Sequence, residues 1–321
     1  MIMENDFNVF THVSPAVRAD SVEDIPRWHF AMLNDRERNH AFFNAICSAD
    51  LEGKTVLDIG TGSGLLAMIA AQRGAKHVYT CESNPLIAQK AQEIISQNAL
   101  SEKITVIPKL STELVPGVDL PNNIDVLISE TVDCGFFGEG FGLSLVHAKE
   151  KLLKPDAEII PQGVELFAGL LSSQDIANLN SVNSKILGLD VSSFNAFSTS
   201  GYFPVRLNTW SHSFKSAPVR FYRAGFTESF TFENSSKVQF VSNAEGICHG
   251  IIFWFKIYLY DNITLSNDPG NFNSHWMQAV HLLDDPVMLC SGRAYALDLE
   301  MSVHGIKFSK RLCYSDLDSA A

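Results

Sequence analysis

Two glutamates nine residues apart, Glu130 and Glu139, bracket the glycine-rich segment Ser129-Glu130-Thr131-Val132-Asp133-Cys134-Gly135-Phe136-Phe137-Gly138-Glu139-Gly140. Two carboxylates brought together can grip a planar cation through bidentate, charge-assisted hydrogen bonds. Such a pair can also serve acid and base hydrolysis, and spacing alone leaves both uses open. Gly135, Gly138 and Gly140 would let the intervening chain form a tight hairpin-like loop. Earlier, Val56-Leu57-Asp58-Ile59-Gly60-Thr61-Gly62-Ser63-Gly64 runs from an apolar strand pattern into a glycine turn, and Glu82 ends the next apolar run. Gly60, Gly62 and Gly64 would let backbone approach a ligand closely, and Glu82 could accept hydrogen bonds from a ribose. The combination predicts a nucleotide-type cofactor.

A dinucleotide fingerprint would carry glycine at position 65, where this chain has Leu65. The G-x-G-x-G form is commoner in enzymes that use S-adenosylmethionine, which has no pyrophosphate to cradle. Asp35 and Arg38 are three residues apart in a helical pattern, which would put them on one helix face. That face is either simply solvated or, if it lies near the cofactor, able to bind a carboxylate through the arginine. Ser111 and Thr112 follow an apolar run and could hydrogen-bond an adenine. Ser274-His275-Trp276 sits in a β-rich region, where a histidine is either a packed strand residue or part of a site.

The elements that must position these residues divide the chain in two. A helical pattern covers Trp28 to Ile46. Strands are expected at Thr55–Ile59, His77–Cys81, Ile104–Ile107 and Ile124–Ser129. Helices are expected at Gly64–Arg73, Pro85–Asn98 and Leu143–Leu153. This alternation predicts a parallel sheet covered by helices, and ligands bind such sheets at the carboxyl ends of the strands. Beyond Pro161, β-branched and aromatic runs take over at Val164–Leu171, Val219–Phe230, Lys237–Val241, Ile247–Tyr260, His275–Leu282 and Tyr295–Met301. That half reads as antiparallel β. Between Ser172 and Pro218 a Ser/Asn-rich stretch carries scattered Phe, Trp and Leu, an aromatic load that suggests packing against another subunit.

Composition bounds the function. The chain has 321 residues, 46% of them hydrophobic, enough for about two domains. A net charge of −12 argues against a broad nucleic-acid surface and would draw cationic substrates. The cysteines, at 47, 81, 134, 248, 290 and 313, form no C-x-x-C, so no metal site is expected. The start lacks a basic-then-apolar signal, and the longest apolar run, Ile251 to Tyr260, is too short to cross a bilayer. A cytoplasmic protein with no membrane or nucleic-acid partner is expected.

In conjunction and in order, these motifs resemble the protein arginine methyltransferase family. The glycine turn matches its first motif, and Glu82 its ribose-binding acid. Glu130 and Glu139 match its double-glutamate loop, and Ser274-His275-Trp276 its Thr-His-Trp loop with Ser for Thr. Met32-Leu33-Asn34-Asp35 through Arg38 matches the helix that covers the cofactor. Ser274 to Val280 and the Met-Leu segment most resemble the branch that makes only monomethylarginine. There are departures. The tyrosine pair of the protein-methylating members is missing, with Trp28, His29 and Phe30 in its neighbourhood. The acid expected near Thr112 stands at Glu113.

The resemblance implies a Rossmann-like S-adenosylmethionine domain at 51–160, preceded by a cofactor-covering segment at 1–50. It implies a β-barrel at 161–321 with a dimerisation arm at about 172–217, hence a homodimer. Gly60, Gly62, Gly64, Glu82, Arg38, Met32, Ser111 and Thr112 would hold the cofactor. Glu130, Glu139, His275 and Asp35 would be catalytic, with Glu130, Glu139 and Trp276 on the substrate. The substrate would be arginine in a protein or peptide. Free L-arginine or another guanidine metabolite, a different nucleophile, and a silent dimeric scaffold are the alternatives.

Overall fold

The computed structural model of the chain describes residues 25–182 and 184–315. Positions 1–24 of the expected cofactor-covering segment lie outside the described residues. The helix expected across Trp28 to Ile46 is two helices, α1 (Trp28–Asn34) and α2 (Arg36–Ser48). The break is Asp35, with φ −75° and ψ 97°. Extended backbone there turns its carboxylate back to accept the Arg38 amide at 2.9 Å, the bond of a helix N-cap. Asp35 and Arg38 therefore do not share a helix face. Asp35 caps the turn on which Arg38 stands.

The parallel sheet follows the sequence pattern closely. It holds β1 (Thr55–Ile59), β2 (His77–Cys81), β3 (Ile104–Ile107), β4 (Ile124–Ser129) and β5 (Leu153–Ile160), in the order β3-β2-β1-β4-β5. Helix α3 (Leu65–Gln72) is rich in alanine and packs Leu66, Ala67, Ile69, Ala70 and Ala71 inward, small side chains that let helix and sheet approach. Helix α4 (Pro85–Gln97) starts at Asn84, whose side chain caps the Leu86 and Ile87 amides, with Pro85 in the first turn where its missing donor costs nothing. The helix expected at Leu143–Leu153 is shorter. Helix α5 (Phe141–His147) runs into a π-turn at Ala148–Leu152, and Leu153 already belongs to β5.

The second half opens with β6 (Gly163–Ser172), then α6 (Gln174–Ala177), β7 (Lys185–Ile186), β8 (Leu189–Asp190), β9 (Phe203–Val205), β10 (Ser213–Phe214) and β11 (Val219–Gly225). It continues through β12 (Asn234–Val241), β13 (Gly246–Tyr260), β14 (Ile263–Ser266), β15 (Gln278–Leu289), β16 (Ala294–Ser302), β17 (Gly305–Phe308) and β18 (Cys313–Tyr314). Hydrogen bonding resolves it into an antiparallel seven-stranded sheet, β10-β6-β13-β15-β9 with β11 on β6 and β14 on β13, and a four-stranded sheet built on β16. β7 and β8 form a separate hairpin. The trailing part of the stretch between β6 and β11 joins the large sheet twice, β9 on β15 and β10 on β6. Its middle leaves Leu187, Leu189, Phe194 and Phe197 exposed.

One core runs through both halves. At their junction Phe136, Phe137, Phe141, Phe226, Phe232 and Phe255 are all fully buried. Phe136 stacks edge-on against Phe141 at 4.9 Å and Phe255 at 5.8 Å. The middle of the Glu130–Glu139 loop is thus sunk into the seam between the halves. Among the described residues no helix is long and apolar enough to cross a membrane.

Candidate active site

The glycine turn bends as only glycine does without strain. Gly60, Gly62 and Gly64 have φ of +86°, +49° and +81°. A methyl group at Gly60 would also lie 2.5 Å from Thr131 Cγ2. Glu82 leaves β2 beside this turn. Its carboxylate accepts the Gly62 amide at 3.1 Å and the Asn84 amide at 2.9 Å, which fixes it at the carboxyl end of the sheet. Beneath the turn Asp58 is buried, with one oxygen on Thr80 at 2.7 Å and the other without a partner. Burial pushes its pKa up to about 7.

A cavity of about 360 Å³ opens over this turn. Gly60, Gly62, Glu82, Met32, Arg38 and Ser111 line it, and so do Glu130 and Glu139. These eight of the expected cofactor and substrate residues thus meet in one space. Gly64 is not in the wall. It caps α3 and donates its amide to Thr61 O at 2.7 Å. Thr112 is exposed and also outside the wall, because the 3₁₀ turn Ser111–Glu113 points Ser111 inward and the next two residues out. Ser111 donates instead to Ser144 at 2.8 Å, a cavity residue with no sequence signal of its own.

The double-glutamate loop is not a hairpin. It is two successive turns, closed by Phe136 N to Asp133 O at 3.0 Å and Gly140 N to Phe137 O at 3.1 Å. Buried aromatic packing of Phe136 and Phe137 takes the place of strand pairing. Glu130 accepts from Arg38 through Nε at 3.0 Å and also through Nη2, with each side chain 4% exposed. Arg38 Nη1 donates to Asn39 at 2.8 Å. Glu139 opens onto the cleft with protein enclosing it on several sides. That desolvation, together with the charges of Glu130, Asp133 and Glu82, pushes its pKa up to about 8.

His275, Trp276 and Asp35 stand behind the cavity wall rather than in it. His275 Nδ1 lies 2.9 Å from Asp35 Oδ2, which also accepts the His275 amide at 2.8 Å. Burial works against ionising Asp35, but the bonds from His275 and the Arg38 amide outweigh it and hold its pKa below the ordinary range. An ionised carboxylate only accepts, so Nδ1 carries the hydrogen. Trp276 is buried, donates Nε1 to Val132 O at 3.0 Å and packs edge-on against Phe255. It braces the glutamate loop and does not face the cavity. Cys81 and Cys134 are buried thiols whose pKa values burial raises, Cys81 to about 12, so neither is an activated nucleophile.

Sequence reasoning passed over one further support. Asn267 is fully buried and spends its side chain on three partners, the Phe255 amide and the carbonyls of Cys134 and Met277. It ties the glutamate loop to the residue after Trp276. Trp28 and His29, stacked at 3.9 Å, line the cavity mouth, and burial lowers the His29 pKa against the opposing pull of Glu82.

The model of the arginine methyltransferase oligomerization subdomain matches residues 178–311, and that of ribosomal protein L11 methyltransferase (PrmA) matches residues 42–132. An arginine N(omega)-methyltransferase of Streptomyces achromogenes subsp. streptozoticus is 45% identical over 286 residues, covering 89% of this chain and 79% of its own length. Protein arginine N-methyltransferase 9 of Mus musculus is 29% identical over 313 residues, covering 87% of this chain but only 37% of its own length. The Trypanosoma brucei PRMT1 enzyme–prozyme heterotetrameric complex with AdoHcy shares the fold, with a TM-score of 0.74 over 85% of this chain and 86% of that one at 20% identity.

Proposed function

The chain belongs to the arginine methyltransferase family, and from that premise we propose that it transfers a methyl group from S-adenosylmethionine to a guanidino nitrogen of arginine, giving mainly monomethylarginine. The observation that carries this reading is the meeting of Glu130 and Glu139 with the Gly60–Gly62 turn and Glu82 around one cavity. The residues present fit the cofactor. The Glu82 carboxylate is pinned by two backbone amides beside left-handed glycines, and Thr131 closes the space that a side chain at Gly60 would need. Gly60, Gly62, Glu82, Met32 and Ser111 would hold it, with Arg38 near its carboxylate. When bound, it supplies an electrophilic methyl group on a positively charged sulfur.

The rest of the chemistry is the protein's. Arginine has a pKa of about 12.5–13.8, so its guanidinium enters as a poorly nucleophilic cation. Glu130 and Glu139 hold two of its nitrogens and draw positive charge toward themselves, leaving the third richer in electrons. Holding that nitrogen in line with the methyl group can contribute about 7–11 kcal/mol of barrier reduction. The Asp35–His275 pair fixes the first turn of α2, and with it Arg38 and Glu130. The proton released as the new N–C bond forms passes to a carboxylate lining the cavity or to water in the cleft, with His275 behind the wall as a positioning partner of Asp35.

The reading includes a homodimer formed through residues 172–217, supported by the exposed Leu187, Leu189, Phe194 and Phe197, and a cytoplasmic setting. A second reading takes free L-arginine, or a small guanidine, as substrate. Trp28 and His29 favour it, since they stand at the cavity mouth where protein-methylating members carry tyrosines. Incubation with methyl-labelled S-adenosylmethionine and either free arginine or an Arg/Gly-rich peptide, read by mass spectrometry, tests both. Label on neither would sink the proposal. Label on the amino acid alone would select the second reading, and dimethylated product would reject the monomethyl assignment.

A further inference from the structure

The glutamate loop is braced from a direction its sequence does not announce. Tyr202 ends the exposed stretch that follows β8, one residue before β9. Its ring packs edge-on against the buried Phe253 of β13, with centroids 5.1 Å apart and planes at 83°. Its hydroxyl donates to Asp133 Oδ2 at 2.8 Å. The other oxygen of Asp133 accepts the amides of Gly135 at 3.1 Å and Gly138 at 2.9 Å. Gly138 directly precedes Glu139.

Two glycines make room for this arrangement. A methyl group at Gly135 would lie 2.6 Å from Tyr202 Cζ, and one at Gly138 would strike the Asp133 carboxylate. The glycines of the loop therefore do more than permit a bend. They admit a tyrosine ring on one side and a carboxylate on the other. Four residues on, Arg206 donates to the Ser274 and His275 carbonyls at 3.4 Å each, so the same short segment touches both functional loops.

We propose that Tyr202 is a positioning residue for Glu139. It holds the Asp133 carboxylate, Asp133 holds the Gly135 and Gly138 amides, and the position of Glu139 in the cavity follows. The proposal rests on the methyltransferase reading for its effect on turnover, but the bracing itself is independent of any substrate. It also gives the exposed residues 187–197 a covalent route to the site, since anything that shifts their trailing end moves Tyr202.

Tyr202→Phe removes one oxygen and keeps the ring. Hydrogen exchange of a peptide spanning the loop should show the Gly135 and Gly138 amides exchanging about 3- to 10-fold faster, the fold-change of one lost hydrogen bond. With arginine as substrate, kcat should fall by about 10-fold or more, as expected for a displaced catalytic group, while affinity for S-adenosylhomocysteine and the sedimentation coefficient stay as in the wild type. Asp133→Asn keeps an acceptor for both amides and can still pair with the Tyr202 oxygen, so it should preserve protection where Asp133→Ala loses it. Adding Tyr202→Phe to Asp133→Ala should change nothing further. Unchanged exchange in Tyr202→Phe overturns the proposal whether or not the wild type methylates arginine. Faster exchange with wild-type kcat overturns the link to Glu139. A wild type that methylates no guanidine, but shows the exchange pattern, rejects the methyltransferase reading and leaves the brace standing.

Discussion

Glu130 and Glu139 close the two ends of one loop and meet different surroundings. Glu130 sits at the exit of β4 against Arg38, a buried ion pair with both side chains 4% exposed. Glu139 enters α5 with no hydrogen-bond partner for its carboxylate among the described residues. The protein partly enclosing it and three neighbouring acids push its pKa up to about 8, although the side chain stays exposed to the cleft. One end of the loop is a charge already compensated by the protein, and the other is a charge that lacks its cation. A guanidinium entering the cavity would supply it. The difference assigns unequal tasks to two residues of the same type. Glu130 holds Arg38 through Oε2 and has only its other oxygen left for a substrate, while Glu139 is the end with both oxygens free.

The largest effect should come from breaking the compensated end. Glu130→Ala leaves the Arg38 guanidinium buried without a counter-charge, and loss of one member of such a pair costs about 3–5 kcal/mol. Urea unfolding should show that loss, whereas Glu139→Ala should leave stability near or above wild type at pH 8. Equal destabilisation by the two variants would erase the contrast. Next in size is turnover. Glu139→Gln keeps shape but removes the charge, and loss of a preorganised electrostatic group lowers kcat by about 10²-fold or more. Single-turnover methylation at saturating S-adenosylmethionine checks this, and near-normal turnover would remove Glu139 from the clamp.

The contrast between the glutamates was not legible in the sequence, although both residues were. Local patterns carried the parallel half well. An apolar run, a glycine turn and a carboxylate at the next strand end are contiguous signals, and β1 to β4 lie where they were expected. Elements failed where a single residue overrode the pattern, as when Asp35 turned one helical stretch into two by capping the second. Thr112 failed for a similar reason, since a 3₁₀ turn sends neighbouring side chains in opposite directions. The supports of the site were invisible because they are long-range. Trp276 reaches Val132, Asn267 reaches Cys134 and Tyr202 reaches Asp133, and no spacing rule links those positions. The motif names the residues that meet at the cavity, while the antiparallel half braces the loop that carries them.

Glu82 offers a smaller test on the compensated side of the cavity. Its carboxylate is held by the Gly62 and Asn84 amides. Glu82→Ala should weaken S-adenosylhomocysteine binding by about 1.5–3 kcal/mol in calorimetry, the range for hydrogen bonds to a charged group. Arginine affinity in the ternary complex should change less. Unaltered cofactor affinity would strip Glu82 of the ribose role.

The smallest effect is also the most specific to Glu139. Its pKa in the folded chain is about 8, whereas an ordinary glutamate titrates near ~4.3. Between those values the folded protein holds a proton that the unfolded chain has released. The stability it contributes is full below the ordinary value and is lost as pH rises through about 8. Substrate binding runs the other way. Arginine stays cationic throughout, so below about 8 its binding must expel the Glu139 proton, and affinity should climb by up to about tenfold per pH unit before levelling above that value. Arginine titrations in the presence of S-adenosylhomocysteine, from about pH 6 to about pH 9, would measure the slope. Glu139→Gln has no proton to lose and should bind with little pH dependence, more weakly than wild type at high pH and closest to it at low pH. A flat wild-type profile, or a slope that survives in Glu139→Gln, would mean that the uncompensated charge lies elsewhere.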